Sequence, residues 1–380
     1  MSKILCIDFG LCNFHNVISL VEDGHEVVIV SGFFNLPVEY YRSLGVEVLS
    51  INKDSVLDKW VKSNKPDIVI STNPSLSCER FSENAEFLGL TKRVNKLEID
   101  KMKTRNNVRG LGIKVPKILT GKDIIAPCVV KPNICGIVND TARICLTQKQ
   151  LDRIGYEECY VEEYIEGAVE TNVAYMIAKG KWSILHTQEI LGEDVAKVAG
   201  NFTHWTRTSS FKHLSPENNE IVLKWAKRYL DWASKECTES SYVGQLTGLL
   251  KDGVWYFCEN NVRPEQTNSL PIFISGNDFL ESMRGKPEIL GDAFPNDAQK
   301  MIVMPVEEYS PYPFHLHEKH NVSIPCGLDL VDGVYRIADT FKHRSRDRRI
   351  GIVICDRIIP QEFVDDIVSD GNFTITTRLV

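Results

Sequence analysis

The chain has 380 residues, 43% hydrophobic and 25% charged, with a formal net charge of −7. That length allows two to three domains of roughly 100 to 200 residues, each able to bury its own core without disulfides or a structural metal. The acidic balance argues against a general nucleic-acid or anionic-membrane binder, so any phosphate site has to be built locally.

The eleven cysteines stand apart with no C-x-x-C spacing, and several fall in apolar runs, as expected of reduced thiols in a cytoplasmic protein. MSKILCIDFG lacks the long apolar segment of a signal peptide, and no later run approaches the roughly 18 apolar residues of a membrane span.

In chain order, Lys3 to Asp8 reads as a buried strand, followed by a glycine-containing turn, a helix from about Phe14 to Glu22 and a strand at Val27 to Val30. A strand at Val46 to Leu49, an amphipathic helix over Ser55 to Ser63 and a strand at Asp67 to Ser71 continue the alternation, which predicts a parallel sheet covered by helices. Helix-like Asp100 to Gly110 leads into strands at CVVK (128–131) and YVEE (160–163). Beyond Thr171 the strands NVAYMIA and WSILHTQEI precede a long helix around Asn219 to Glu236. Strands at 243–250 and 254–260, joined by a Lys-Asp-Gly turn, predict an antiparallel hairpin. MIVMPV (301–306), GVYRIADTF (333–341) and RIGIVIC (349–355) suggest a strand-rich terminal region. The expected domains are 1–95, 96–285 with a lid subdomain near 115–175, and 286–380, in a fold of α/β and α+β class.

The most specific motif is Glu259-Asn260-Asn261-Val262-Arg263, of the form E-x-N-x-R, at the end of an apolar strand. Residues two apart on a strand face the same way, so a carboxylate, an amide and a guanidinium share one side. The first two can hold a hard cation such as magnesium, and the third can meet a phosphate oxygen.

This motif follows, in order, Asp100-Lys101, the strand lysine Lys131 in VVKP, and Glu162-Glu163-Tyr164-Ile165 with Gly167 and Glu170. Together they resemble the nucleotide site of the ATP-grasp superfamily, which implies ATP and Mg²⁺ (or Mn²⁺) as cofactors. By that resemblance Lys101 and Lys131 reach the α- and β-phosphates, and Glu162 with the backbone through Tyr164 and Ile165 reads the adenine edge. Glu170 takes the ribose hydroxyls, Glu259 and Asn261 hold the metal, and Arg263 lies near the γ-phosphate, with Arg263 and Lys131 the catalytic pair.

Within the superfamily, YVEEYIEG and the three-part layout look like the glycinamide ribonucleotide synthetase (phosphoribosylamine–glycine ligase) family of purine biosynthesis. The resemblance implies an ADP-forming carbon–nitrogen ligase that joins a small-molecule carboxylate to an amine, as a monomer or homodimer. Departures lie mainly on the acceptor side. The N-terminal turn is FGLCNFHN, keeping Gly10 and His15; the phosphate lid is KPNICGIVND, with Gly136 its sole glycine; and NFTHWTRTSSFKHLSP replaces a glycine-rich segment. They leave open a ligase for another amino acid, peptide or nucleotide acceptor, or a non-catalytic nucleotide-binding protein.

By the resemblance of the N-terminal turn, His15 is a candidate for holding the acceptor, and so are His204 and Arg207, because a guanidinium suits a carboxylate or phosphate and loops carry specificity. The basic run Lys342, Arg344, Arg346, Arg348 and Arg349 between two strands reads as a solvated hairpin or as a clamp for a substrate phosphate or nucleic acid. His315, His317 and His320 form H-x-H-x-x-H in an expected loop without a cysteine partner, against a zinc site. Cys12 has no base placed beside it and is not a nucleophile.

Overall fold

The computed structural model describes the chain apart from residues 8–13, 32–40, 43, 52, 73–77, 133–142, 155–158, 192–208, 213, 264–275, 290–298, 306–314, 323–327, 332–333, 338–351, 357–358, 370 and 380. The N-terminal region runs β1 (Lys3–Ile7), α1 (Phe14–Glu22), β2 (Glu26–Ser31), β3 (Glu47–Ser50), α2 (Asp54–Asn64), β4 (Ile68–Ser71) and β5 (Glu86–Gly89). Its strands form a parallel sheet in the order β3-β2-β1-β4-β5. KILCI and IVIS are apolar at their core positions up to the buried Ser71 at the end of β4, because a parallel sheet is covered on both faces. Leu5, Val28 and Val69 pack on Leu57 and Val61 of α2, while Ile4, Cys6, Ile29 and Ile70 face Val17 and Leu20 of α1.

Two helices follow, α3 (Lys92–Ile99) and α4 (Lys101–Gly110). Asp100 separates them, its side chain accepting from Lys103 N at 2.9 Å and so satisfying an orphan donor in the first turn of α4. β6 (Ile118–Leu119), β7 (Cys128–Pro132), β8 (Arg143–Cys145) and β9 (Cys159–Glu163) then pair antiparallel in the order β6-β9-β7-β8.

The central sheet is built on β10 (Val169–Ala178), β11 (Lys181–Leu191), β12 (Ser209–Lys212), β13 (Ser241–Lys251) and β14 (Val254–Asn261), with α5 (Pro216–Glu236) between β12 and β13. Asp252 and Gly253 both take positive φ (49° and 74°), the backbone a two-residue hairpin loop demands. Strand β10 is buried on both sides. Val173, Tyr175 and Ile177 face Val222, Ala226 and Tyr229 of α5. Ala174, Met176 and Ala178 close against the core of the parallel sheet, together with Phe279, Leu280 and Met283 of α6 (Gly276–Met283).

The remaining elements are β15 (Gln299–Pro305), α7 (His315–His320), β16 (Leu328–Val331), β17 (Val334–Ile337), β18 (Ile352–Asp356), α8 (Gln361–Ser369) and β19 (Phe373–Leu379). β15, β18 and β19 extend the central sheet to the order β14-β13-β10-β11-β12-β19-β15-β18, so the terminal segment continues that sheet through the β12–β19 pairing. The H-x-H-x-x-H segment is a helix and not the expected loop. The His317 ring lies edge-on to Phe363 of α8 at 4.9 Å, and His320 Nε2 lies 2.8 Å from Asp366, so these two histidines serve helix packing while His315 is exposed. Among the described residues no cluster of three or more His, Cys, Asp or Glu side chains is placed to hold a metal, and no helix is long and apolar enough to cross a membrane.

Candidate active site

The end of β14 is set by its pairing with β13. The register slips between Thr247 and Gly248, so that Thr247 faces Glu259 while Gly248 faces Phe257. One extra residue is thereby accommodated, and Cys258 and Glu259 are both half-buried beyond a strand whose Trp255 and Phe257 sit in the α5 core. A side chain at Gly248 would meet the Trp255 ring at 2.2 Å, so only glycine fits beside the bulge. After it, Asn260 turns inward, where its Oδ1 accepts from Tyr175 OH at 2.6 Å. Glu259 and Asn261 therefore share the opposite face.

The four-stranded sheet contributes a buried charge cluster. Glu162 on β9 is 2% exposed and both its oxygens are engaged: Arg105 Nη1 of α4 donates to Oε2 at 2.5 Å, and Lys131 Nζ of β7 reaches Oε1 at 2.5 Å. Arg105 also donates to Pro116 O and lies over the Tyr160 ring at 5.4 Å. Burial alone would lower the Lys131 ammonium, but the Glu162 carboxylate beside it raises it above the ordinary lysine value. Two cations around one carboxylate leave an excess positive charge, which is receptive to a phosphate.

The two sheets bring their charges within mutual reach. Lys101, at the start of α4, places Nζ 3.8 Å from Glu259 Oε2, and Lys131 feels the Glu259 charge as well. Glu170 of β10 is pushed up to about 7, by burial first and by Glu259 second, with Lys131 opposing. Cys258 is pushed up to about 12 by burial, against the pull of Lys131.

Glu98, near the end of α3, crosses to the far side of the motif. It accepts from Val262 N at 2.8 Å and from Arg263 Nε at 3.0 Å, and burial raises its carboxyl above the usual range. Beside these charges the central sheet presents a neutral polar stretch, in which Thr247 Oγ1 donates to Asn172 Oδ1 at 2.9 Å and Gln245 Nε2 donates to Thr247 Oγ1 at 3.4 Å. Gln188 pairs with Asn172 across β11 and is also buried.

Of the residues selected from sequence, Lys101, Lys131, Glu162, Glu170, Glu259 and Arg263 are thus linked through contacts or charge interactions, and Asn261 shares the Glu259 face. Tyr164 and Ile165 follow β9 and are half-buried, with Ile165 O accepting from Ala168 N at 3.3 Å. His15 lies in α1, with its side chain outside the described set. His204, Arg207, Gly136, Cys12 and the basic run 342–349 lie outside the described residues. Arg105 and Glu98 escaped sequence reasoning. The signal for Arg105 was its position one helical turn after Lys101, on the same face; Glu98 sits in an ordinary helical stretch and carried none.

No family model matches the chain. Over 165 residues it is 30% identical to a D-alanine--D-alanine ligase of Fervidobacterium nodosum, which covers 40% of this chain and 49% of that protein. The chain therefore spans about half the length of this curated relative. Among solved structures it is similar over 99% of its length to N5-carboxyaminoimidazole ribonucleotide synthetase from Thermotoga maritima, covering all of that chain with a TM-score of 0.60 at 14% identity. Biotin carboxylase from Campylobacter jejuni gives 0.62 at 14% identity, over 99% of this chain and 92% of that one. The chain has the ATP-grasp fold. A further ATP-grasp neighbour is the biotin carboxylase domain of Hydrogenobacter thermophilus 2-oxoglutarate carboxylase, in complex with MgADP, ADP and bicarbonate, with a TM-score of 0.63 at 12% identity over 99% of this chain and 91% of that one.

Proposed function

We propose that the protein is an ADP-forming ATP-grasp ligase that uses magnesium-ATP to join a small-molecule carboxylate to an amine. The observation that carries this reading is the convergence of Lys101, Lys131, Glu162 and Glu259 from four separate chain segments on one locus. In it, the excess positive charge of the Arg105–Glu162–Lys131 cluster and Lys101 bind the nucleotide phosphates, and the backbone after β9, through Tyr164 and Ile165, borders the adenine. Glu162 itself serves as the counter-ion that holds Lys131 in place, and Glu170 faces the nucleotide from β10.

Glu259 and Asn261 supply hard oxygen donors on one face of a strand, a donor set that fits magnesium or manganese. When bound, the metal neutralises charge on the β- and γ-phosphates. The protein's own residues do the positioning: Lys131 and Lys101 orient the phosphates, Arg263 offsets charge at the γ-phosphoryl group, and the buried surroundings strengthen both effects. A carboxylate that takes the γ-phosphoryl group becomes an acyl phosphate, from which an amine displaces phosphate. We assign the acceptor to the neutral stretch of Asn172, Gln188, Gln245 and Thr247, whose buried polar groups on the central sheet support that reading.

The acceptor pair we favour is that of phosphoribosylamine–glycine ligase in purine biosynthesis, with His15, His204 and Arg207 as its contacts. A ligase for another amino acid is the second reading, supported by the relationship to a D-alanine--D-alanine ligase. The test is ADP release from Mg-ATP with glycine and phosphoribosylamine, beside a panel of amino acids and small carboxylates. ADP formation confined to the first pair supports the first reading, turnover only with another amino acid supports the second, and nucleotide binding without turnover on any pair contradicts ligase activity.

A further inference from the structure

Glu98 is 4% exposed and has no place in the phosphate or metal contacts assigned above. It stands in the last turn of α3, two residues before the Asp100 cap that starts α4 and three before Lys101. Its two carboxylate oxygens serve two donors more than 160 residues away in sequence, the Val262 N–H through Oε2 and the Arg263 Nε–H through Oε1. Both donors follow directly on Asn261, so one side chain fixes the backbone that leaves the metal-binding face and the guanidinium that comes after it.

For stability alone this is a poor arrangement. An apolar side chain of similar volume would fill the site without the desolvation of a carboxylate, and the like charge of Glu259 raises that cost further. What the arrangement achieves is geometric. A guanidinium is a rigid plane, so a tie at Nε sets the direction of both Nη groups, which a flexible arginine would otherwise sample at an entropic cost.

We propose that Glu98 is the positioning residue for Arg263, aiming its guanidinium at the γ-phosphoryl group and joining the α3–α4 corner that carries Lys101 to the end of β14. This rests on the ligase reading of the site. Glu98 touches neither substrate nor metal and acts through Arg263 and through the Val262 peptide.

The test needs no acceptor. The full-length protein is titrated calorimetrically with Mg-ADP and with the magnesium complex of a non-hydrolysable β,γ-imido ATP analogue, as wild type, Glu98→Gln, Arg263→Gln and the double variant. Glutamine keeps the shape but has one oxygen for two donors. Glu98→Gln is expected to weaken the triphosphate analogue by about tenfold while ADP changes by less than about threefold. In the Arg263→Gln background the same change should cost less than about threefold, because the residue it acts through is gone. Equal loss of both nucleotides, no loss of either, or an undiminished tenfold effect in the Arg263→Gln background would overturn the assignment. Should Glu98→Gln lower the melting temperature too far for titration, Glu98→Asp keeps the charge at shorter reach and is expected to show the same selective loss in smaller measure. A wild type that binds neither nucleotide contradicts the ligase reading, whereas one that binds both and is indifferent to Glu98 contradicts only this inference.

Discussion

The five-stranded sheet and the pair of sheets behind it bury their residues in different currencies. Among the described residues of β1 to β5, the buried side chains are almost all aliphatic or aromatic, with Ser71 the polar exception at a strand end. The sheets β6–β9 and β10–β14, with α3 and α4, enclose Glu98, Arg105, Lys131, Glu162, Asn172, Gln188 and Glu189. A scaffold gains nothing from buried charge, since each ion loses several kcal/mol of hydration that a partner only partly returns. The contrast separates an apolar supporting region from the one that carries the proposed nucleotide site, although both share the seam of Ala174, Met176 and Ala178.

The most severe way to probe this contrast is Lys131→Met. It leaves Glu162 with Arg105 alone and cancels the excess positive charge, so nucleotide affinity by calorimetry should fall by about 100-fold or more, close to 3 kcal/mol. Glu259→Ala removes one donor of the metal face at a solvent-reachable strand end. ADP formation at fixed magnesium should drop by roughly 100-fold, with a melting temperature within a few degrees of wild type; unchanged kinetics at saturating magnesium would count against its role.

Val69→Ala, in the parallel sheet, tests the opposite half of the contrast. It deletes buried methyl groups and should lower stability by about 2 kcal/mol in chemical denaturation while leaving nucleotide affinity intact. A change in affinity would mean that the two regions are not separable.

Glu170 gives the mildest effect, and its sign is fixed. Its carboxyl titrates near 7 in the folded protein because of burial and Glu259, with Lys131 opposing, and at its ordinary lower value when unfolded. The folded state thus binds the proton more tightly. The associated stability is fully present below the unfolded value and is lost as pH rises through about 7. Glu170→Gln should flatten that decline and make the nucleotide-free protein more stable at pH 8 by on the order of 1 to 2 kcal/mol. A steeper decline in the variant would reverse the assignment.

Much of the fold was legible because it is written in local periodicity. KILCI, EVVIVS and IVIS announce buried parallel strands, and the Lys251-Asp252-Gly253 turn announces the hairpin that ends in Glu259 and Asn261. What stayed hidden depends on partners far away in the chain. Glu98 meets Val262 across 164 residues and Arg105 meets Glu162 across 57, so no sequence window contains both members. For the same reason the motif gives no sign that Arg105 and Lys131 both pair with the Glu162 carboxylate. The histidines of α7 suggest a metal by spacing alone, but Phe363 and Asp366 on another helix decide their role. The register slip opposite Thr247 and Gly248, which sets the face of Glu259, is likewise a property of two strands together.

The most direct test is a crystal structure with the magnesium complex of a non-hydrolysable ATP analogue. The metal is expected against Glu259 and Asn261, the triphosphate along Lys101 and Lys131, and the adenine beside the backbone at Tyr164 and Ile165. A nucleotide bound elsewhere, with the Arg105–Glu162–Lys131 cluster untouched by phosphate, would contradict that placement.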